Sequence, residues 1–263
     1  MILKRKIYKK LLEWKKECQG KKALLIEGAR RIGKSTICEE FGKSEYKSFL
    51  LIDFAKKDKE VEGYFEKYLN DLDTFFMLLQ THFGTKLTER NSLIIFDEVQ
   101  MFPQARAAIK YLVADGRYDY IETGSLISIR ENVKNIVIPS EERHINMYPL
   151  DFEEFAIALE EDLLVEYIKK CFEKREPLER SMHNQAMLLF HQYMLVGGMP
   201  MSVVTFIESK KDFTEADREK RDILKLYRED IMKIDAKYRS KVLAIYDQIP
   251  GFLSQHEKRV VFK

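Results

Sequence analysis

The sequence has no long apolar run. Its apolar stretches are short, as in Phe75–Leu79 and Leu93–Phe96, well below the roughly 18 uninterrupted apolar residues of a membrane-spanning helix. The N-terminus is basic, but charges interrupt it before an apolar segment of signal-peptide kind can form. Cysteine is scarce: Cys18, Cys38 and Cys171 are odd in number and lack metal-site spacing, so a reduced cytoplasm fits better than secretion. Internal repeats and low-complexity segments are absent. A dominant charge is lacking too, with 45 basic residues against 43 acidic ones in 263.

What is present is ordinary globular material, 45% apolar, in a length that suits one large domain or two smaller ones. The near-neutral total hides a segregation. Residues 1–34 hold twelve Lys or Arg and three Glu, whereas Asp151–Glu166 carries seven acids and no base. A basic N-terminal part of this kind suits an anionic ligand, whether phosphate, nucleic acid or membrane surface, though no membrane partner is expected; a solvated helix face is the plainer reading.

Periodicity divides the chain into two regions. Ile7, Leu11, Trp14 and Cys18 predict an N-terminal helix with lysines between the apolar positions. Strands are predicted at Lys22–Glu27, Lys47–Phe54, Ser92–Asp97, Tyr118–Thr123 and Asn135–Pro139. Helices separate them at Lys34–Phe41, Asp58–His82 and Gln104–Asp115. Alternation with nearly continuous apolar strands predicts an α/β fold, a parallel sheet covered on both faces. After about residue 150 only helices are expected: Asp151–Glu160, Asp162–Glu173, Ser181–Val196, Met201–Ser209, Phe213–Lys237 and Ser240–Ile249. A strand start at Arg259–Phe262 follows them, and the boundary falls near Tyr148–Asp151.

Gly28-Ala29-Arg30-Arg31-Ile32-Gly33-Lys34-Ser35, followed by Thr36, fits the P-loop pattern at every fixed position. The two glycines permit backbone conformations that aim N–H groups at phosphate oxygens. A helix starting at Lys34 adds its positive end. In this pattern Lys34 reaches the β- and γ-phosphates and the Ser35 hydroxyl ligates Mg²⁺. The second half of such a site is a carboxylate at the end of a buried strand, and Leu93–Glu98 supplies two. Asp97 would hold Mg²⁺ and Glu98 would polarise the attacking water. The adjacent Glu argues for ATP hydrolysis over GTP hydrolysis. So does the lack of a guanine-specifying Asn/Thr-Lys-x-Asp, for Ala55-Lys56-Lys57-Asp58 lacks the first residue.

Thr123 ends the strand expected beside the carboxylate strand and is the candidate γ-phosphate sensor, with Ser125 the substitute and a simple Thr-Gly-Ser turn the alternative. Arg130 is the candidate arginine finger, with Arg117, Arg143, Arg30 and Arg31 as competitors. A finger donated by a neighbouring subunit makes the protein a homo-oligomer. His183 and His191, eight apart on one helix, read as packing or solvent-facing residues and not as metal ligands.

Five stretches resemble the AAA+ superfamily of P-loop ATPases, and more narrowly a prokaryotic ATP-binding family that opens with a basic helix. They are Gly28–Thr36, Ile94–Gln100, Thr123–Ser125, Tyr148–Phe155 (Tyr-Pro-Leu-Asp-Phe-Glu-Glu-Phe) and Tyr193–Pro200 (Tyr-Met-Leu-Val-Gly-Gly-Met-Pro). The resemblance implies a three-layer P-loop NTPase core with a five-stranded parallel sheet over residues 1–150. It further implies an all-α lid over 151–238 and the beginning of a winged-helix-like segment over 239–263. The family's C-terminal nuclease-like domain of unknown function would be missing. The implied activity is Mg²⁺-dependent ATP hydrolysis as a motor or switch on an unknown target. The alternative is a nucleotide-dependent signalling module with slow turnover. DNA contact would run through Lys9, Lys10, Lys15, Lys16, Lys21 and Lys22 or through the winged segment.

Overall fold

The computed structural model describes residues 1–125, 140–232 and 234–254. The chain forms two compact units, Met1–Pro200 and Met201–Lys263.

In the first unit, α1 (Ile7–Cys18) leads into β1 (Ala23–Glu27), α2 (Lys34–Glu45) and β2 (Ser48–Asp53). Next come α3 (Lys59–Lys67), α4 (Leu72–Phe83), β3 (Ser92–Asp97), α5 (Pro103–Asp115), β4 (Asp119–Gly124) and β5 (Glu142–Asn146). Three helices follow: α6 (Phe152–Ala158), α7 (Asp162–Lys174) and α8 (Arg180–Val196). The strands form one sheet in the order β2-β3-β4-β1-β5, and every neighbouring pair is parallel. This is the expected five-stranded α/β arrangement. Parallel strands need crossovers, and helices on both faces supply them.

Alternate residues of each strand feed two separate cores. Leu25, Leu50, Ile52, Ile94, Phe96 and Tyr120 pack against α3, α4 and α5, with Phe54, Phe65, Phe75 and Phe102 forming an aromatic cluster among them. Leu24, Ile26, Leu93, Ile95 and Ile121 pack against α1 and α2. There Ile7, Leu11 and Trp14 of α1 meet Ile37, Cys38 and Phe41 of α2, and the Trp14 indole N–H donates to Lys22 O at 3.0 Å. Burying each such side chain contributes roughly 1.5–3 kcal/mol. The apolar stripe of the basic helix is therefore a core element, and its lysines point outward because the other face is taken.

Three points of the sequence reading need comment. The helix expected over Asp58–His82 is two helices, because Asp71 breaks the run by accepting the Thr74 N–H at 3.2 Å as the N-cap of α4. The strand expected at Asn135–Pro139 lies outside the described residues, as does the strand start at Arg259–Phe262. Among the described residues the fifth strand is Glu142–Asn146, a largely exposed polar edge strand with no apolar run to announce it. Finally, the compact unit extends to Pro200, past the change of character near Tyr148–Asp151. Leu150 N–H donates to Gly198 O at 2.7 Å and the Tyr193 hydroxyl to Leu150 O at 2.9 Å, which fastens α8 to the end of the sheet region.

In the second unit, α9 (Pro200–Glu208), α10 (Phe213–Ile231) and α11 (Ala236–Ser254) are helical throughout. Asp212 caps α10 through the Thr214 N–H at 2.7 Å. Phe206 and Phe213 stack with ring centroids 5.0 Å apart, and the Tyr246 hydroxyl of α11 donates to Leu224 O of α10 at 3.4 Å.

Candidate functional site

In a parallel sheet, ligand sites form beyond the carboxyl ends of the strands. Three strands end together here. β4 lies between β1 and β3, so the loop after β1, the acids after β3 and Thr123 at the end of β4 are neighbours.

The loop after β1 turns through two left-handed residues, Arg31 at φ +64° and Gly33 at φ +89°, before α2 begins at Lys34. Gly33 is suited to that conformation; Arg31 holds it against a steric cost of about 1–2 kcal/mol. A side chain at Gly28 has no room, since a Cβ there would lie 2.4 Å from Met147 O. The Lys34 side chain is buried and folds back over the loop, its ammonium donating to Gly28 O at 3.1 Å and Ala29 O at 2.8 Å. Burial holds this ammonium below its ordinary pKa, against the opposing pull of Glu98 and Asp97. Ala29, Arg30, Arg31 and Thr36 are exposed around the turn, while Ile32 is buried and anchors it.

Ser35 and Asp97 meet across the sheet end. The Ser35 hydroxyl donates to Asp97 Oδ1 at 2.8 Å, and the Thr123 hydroxyl donates to the same oxygen. Thr123 in turn accepts the Glu98 N–H at 3.3 Å. Glu98 sits in the left-handed region at φ +53°, and Gln100 Nε2 donates to its carboxylate. A non-glycine residue held this way costs of order 1 kcal/mol and is characteristic of functional turns. The residues singled out at the two motifs and at Thr123 are thus brought together. Ser35 Oγ and Asp97 place two hard oxygen donors side by side, the donor type that suits Mg²⁺. Among the described residues no cluster of three or more His, Cys, Asp or Glu side chains could hold a metal by itself.

Of the arginines, Arg130 lies outside the described residues. Arg117 precedes β4, at the opposite end of that strand from Thr123, paired with Asp73 at 2.7 Å and Asp115 at 2.8 Å and stacked on Phe76. Arg143 is paired with Glu17 at 2.6 Å near the start of β5. His183 and His191 are exposed on α8.

Residues 20–156 match the AAA domain family. The chain belongs to that family. Its fold is that of an AAA+ P-loop ATPase, and the match covers the sheet, the loop after β1 and the start of α6. Similar solved structures include the Aeropyrum pernix Orc1 protein in complex with DNA, at 9% identity and a TM-score of 0.37 over 74% of this chain and 68% of that one. Another is Caenorhabditis elegans PCH-2, at 12% identity and a TM-score of 0.40 over 82% and 65%. A third is the signal transduction ATPase with numerous domains PH0952 of Pyrococcus horikoshii, which has a tetratricopeptide repeat sensor, at 17% identity and a TM-score of 0.42 over 89% and 34%. The AAA domain chain thus spans about two thirds of the first two proteins and a third of the last. No curated protein matches it.

Sequence reasoning missed four contributors to the site. Gln100 lies within a recognised stretch but has no role in the motif itself. Met147 packs near Gly33, its Cε 4.0 Å from where a Cβ would stand, with Pro200 Cγ at 3.8 Å on the same side. Arg5 approaches the same glycine at 4.0 Å. Gln100 and Pro200 carried a signal, as the ends of the Ile94–Gln100 and Tyr193–Pro200 stretches.

Proposed function

We propose that this AAA domain binds ATP with Mg²⁺ in the loop Gly28–Thr36 and hydrolyses it. The observation that carries the reading is the Ser35–Asp97 hydrogen bond at 2.8 Å, which unites two motifs far apart in sequence at one point beside Lys34. The backbone N–H groups of residues 29–35 would face the phosphates, and the Lys34 ammonium would leave the Gly28 and Ala29 carbonyls for phosphate oxygens. An anion there would favour the charged form of Lys34 that burial disfavours. Ser35 and Asp97 would hold Mg²⁺, which supplies charge neutralisation for the departing phosphoryl group. Glu98 would take a proton from the attacking water, and Thr123 would sense the γ-phosphate by exchanging its bond to Asp97. Arg130 remains the proposed finger, donated within a homo-oligomer.

Functionally, residues 1–150 serve as the ATPase core, 151–238 as the lid and 239–263 as the beginning of a winged segment. Whatever target the hydrolysis drives lies outside the chemistry of this site. The Gln100 bond to Glu98 favours a second reading, in which the domain is a nucleotide-dependent switch whose turnover is restrained. DNA is the proposed macromolecular partner of the basic helix. Lys9, Lys10, Lys16, Lys21 and Lys22 are exposed, whereas Lys15 is withdrawn over the Tyr46 ring at 3.8 Å.

Glu98→Gln tests the catalytic assignment. Loss of a general base should lower ATP hydrolysis by about 10²-fold or more, with ATP still bound. Undiminished hydrolysis by a variant that binds ATP removes Glu98 from the mechanism. Binding to a DNA duplex should weaken steeply with salt, and salt-insensitive or absent binding removes DNA as a partner.

A further inference from the structure

Arg5 lies outside every motif of the sequence, just before α1, yet it touches three parts of the site's frame. Its Nε donates to Glu154 Oε1 at 3.2 Å, Nη1 to Ile32 O at 3.0 Å and Nη2 to Tyr148 O at 2.6 Å. The side chain is 7% exposed and that of Glu154 6%. Glu154 is itself held, since it completes a capping box with Asp151 at the start of α6 and accepts the Lys6 N–H at 2.6 Å. The guanidinium is thereby fixed in plane and position, as its fork of donors allows and a lysine ammonium does not.

The contact with Ile32 matters most. In a trans peptide the C=O and the following N–H point in opposite directions. Pinning Ile32 O toward Arg5 therefore turns the Gly33 N–H away from Arg5 and from Met147 and Pro200, which crowd that side of Gly33. The peptide joins Ile32 to the left-handed Gly33, one residue after the left-handed Arg31, in a turn where the backbone orientation has to be enforced. A guanidinium bound to a peptide oxygen enforces it and also polarises the peptide, which makes its N–H a better donor.

We infer that Arg5 is a positioning residue for nucleotide binding, which fixes the Ile32–Gly33 peptide so that the Gly33 N–H is presented to phosphate. The segment before α1 then belongs to the nucleotide site even though it contributes no atom to the nucleotide. The inference rests on the loop Gly28–Ser35 being a nucleotide site. Lys6 supplies an internal comparison. It ties the same segment to Asp151 at 2.5 Å and Glu153 at 2.7 Å through exposed ion pairs that do not reach the loop.

Titration of the full chain with fluorescent ADP, alongside steady-state ATP hydrolysis and thermal melting, tests the inference on wild type, Arg5→Ala, Arg5→Lys and Lys6→Ala. Loss of one charge-assisted hydrogen bond that orders a binding group corresponds to a weakening of about tenfold or more for Arg5→Ala. Arg5→Lys should fall between Arg5→Ala and wild type, since an ammonium replaces the fork with a single point. Lys6→Ala should bind ADP as wild type does, and in the Arg5 variants KM should change more than kcat. Wild-type affinity in Arg5→Ala overturns the inference, as does an equal loss in Lys6→Ala, which makes the tie merely structural. Where Arg5→Ala does not fold, the comparison of Arg5→Lys with Lys6→Ala decides by the same criteria. Failure of wild type to bind ADP overturns the nucleotide site and this inference together, and the wild-type titration alone separates that outcome from the others.

Discussion

Replacing Glu122 by Gln should flatten part of the protein's stability-versus-pH curve. Glu122 of β4 is fully buried on the sheet face covered by α5, and neither carboxylate oxygen accepts a hydrogen bond among the described residues. Arg106 of α5 is close, but it gives its two-pronged contact to Glu142 of β5, at 3.1 and 2.8 Å. The other charged neighbours are His144, 3.1 Å from Glu142, and Glu27 of β1, 3.5 Å from His144. Burial first and the Glu142 charge second raise the Glu122 pKa well above its ordinary 4.5. With one guanidinium between two carboxylates, the second carboxyl keeps its proton and shares it with Glu142. The folded state then holds a proton that the unfolded chain releases, so stability is greatest below the ordinary carboxyl pKa and declines as pH rises toward the folded value. The decline is about 1 kcal/mol per pH unit while Glu122 stays protonated. A Gln amide can donate to Glu142 in place of the shared proton without titrating. Thermal melts of wild type and Glu122→Gln from pH 5 to 8 should therefore converge at the acid end and separate, in favour of the variant, toward pH 8. Parallel curves across the range would refute the buried proton.

Two further outcomes follow from the same structure. Lys34→Ala should abolish the rise in melting temperature produced by saturating ATP, worth about 3 kcal/mol at a hundredfold excess over Kd, while the nucleotide-free protein still melts cooperatively; a retained ATP shift would detach Lys34 from the phosphates. Gly198→Ala should destabilise by about 1–3 kcal/mol, because its Cβ would lie 2.1 Å from the Leu150 carbonyl oxygen, whereas Gly63→Ala on α3 meets nothing within 4 Å and should be neutral or stabilising; equal melting temperatures for the two variants would discount the Leu150–Gly198 junction.

What could be read from the sequence and what could not divide along physical lines. The loop Gly28–Ser35 and the acids Asp97 and Glu98 were legible because phosphate and metal chemistry demands particular residue types at short, fixed spacing. The adjacency of Thr123 to Asp97 was expected from the P-loop ATPase pattern, in which a polar residue ends the strand beside the carboxylate strand; alternation of strands and helices alone does not fix that order. β5 was illegible because a largely exposed edge strand needs no apolar run, and Glu142 is buried there alongside its partner Arg106. The break between α3 and α4 turned on one side chain, Asp71, inside an otherwise helical pattern. Arg5 was beyond reach for a different reason: its partners stand 27, 143 and 149 residues away, and no local pattern records a contact at that separation.

That separation has a consequence for how the protein is made. The loop after β1 leaves the ribosome early, but the groups that hold it, Tyr148, Glu154 and Pro200, are synthesised much later. At about 5–20 residues per second the delay is on the order of 10–30 s. During that interval the nascent chain carries a complete phosphate-binding sequence without the frame that shapes it. If the loop binds nucleotide as proposed, a site that relies on this Arg5-mediated frame is complete only at the end of the first unit's synthesis.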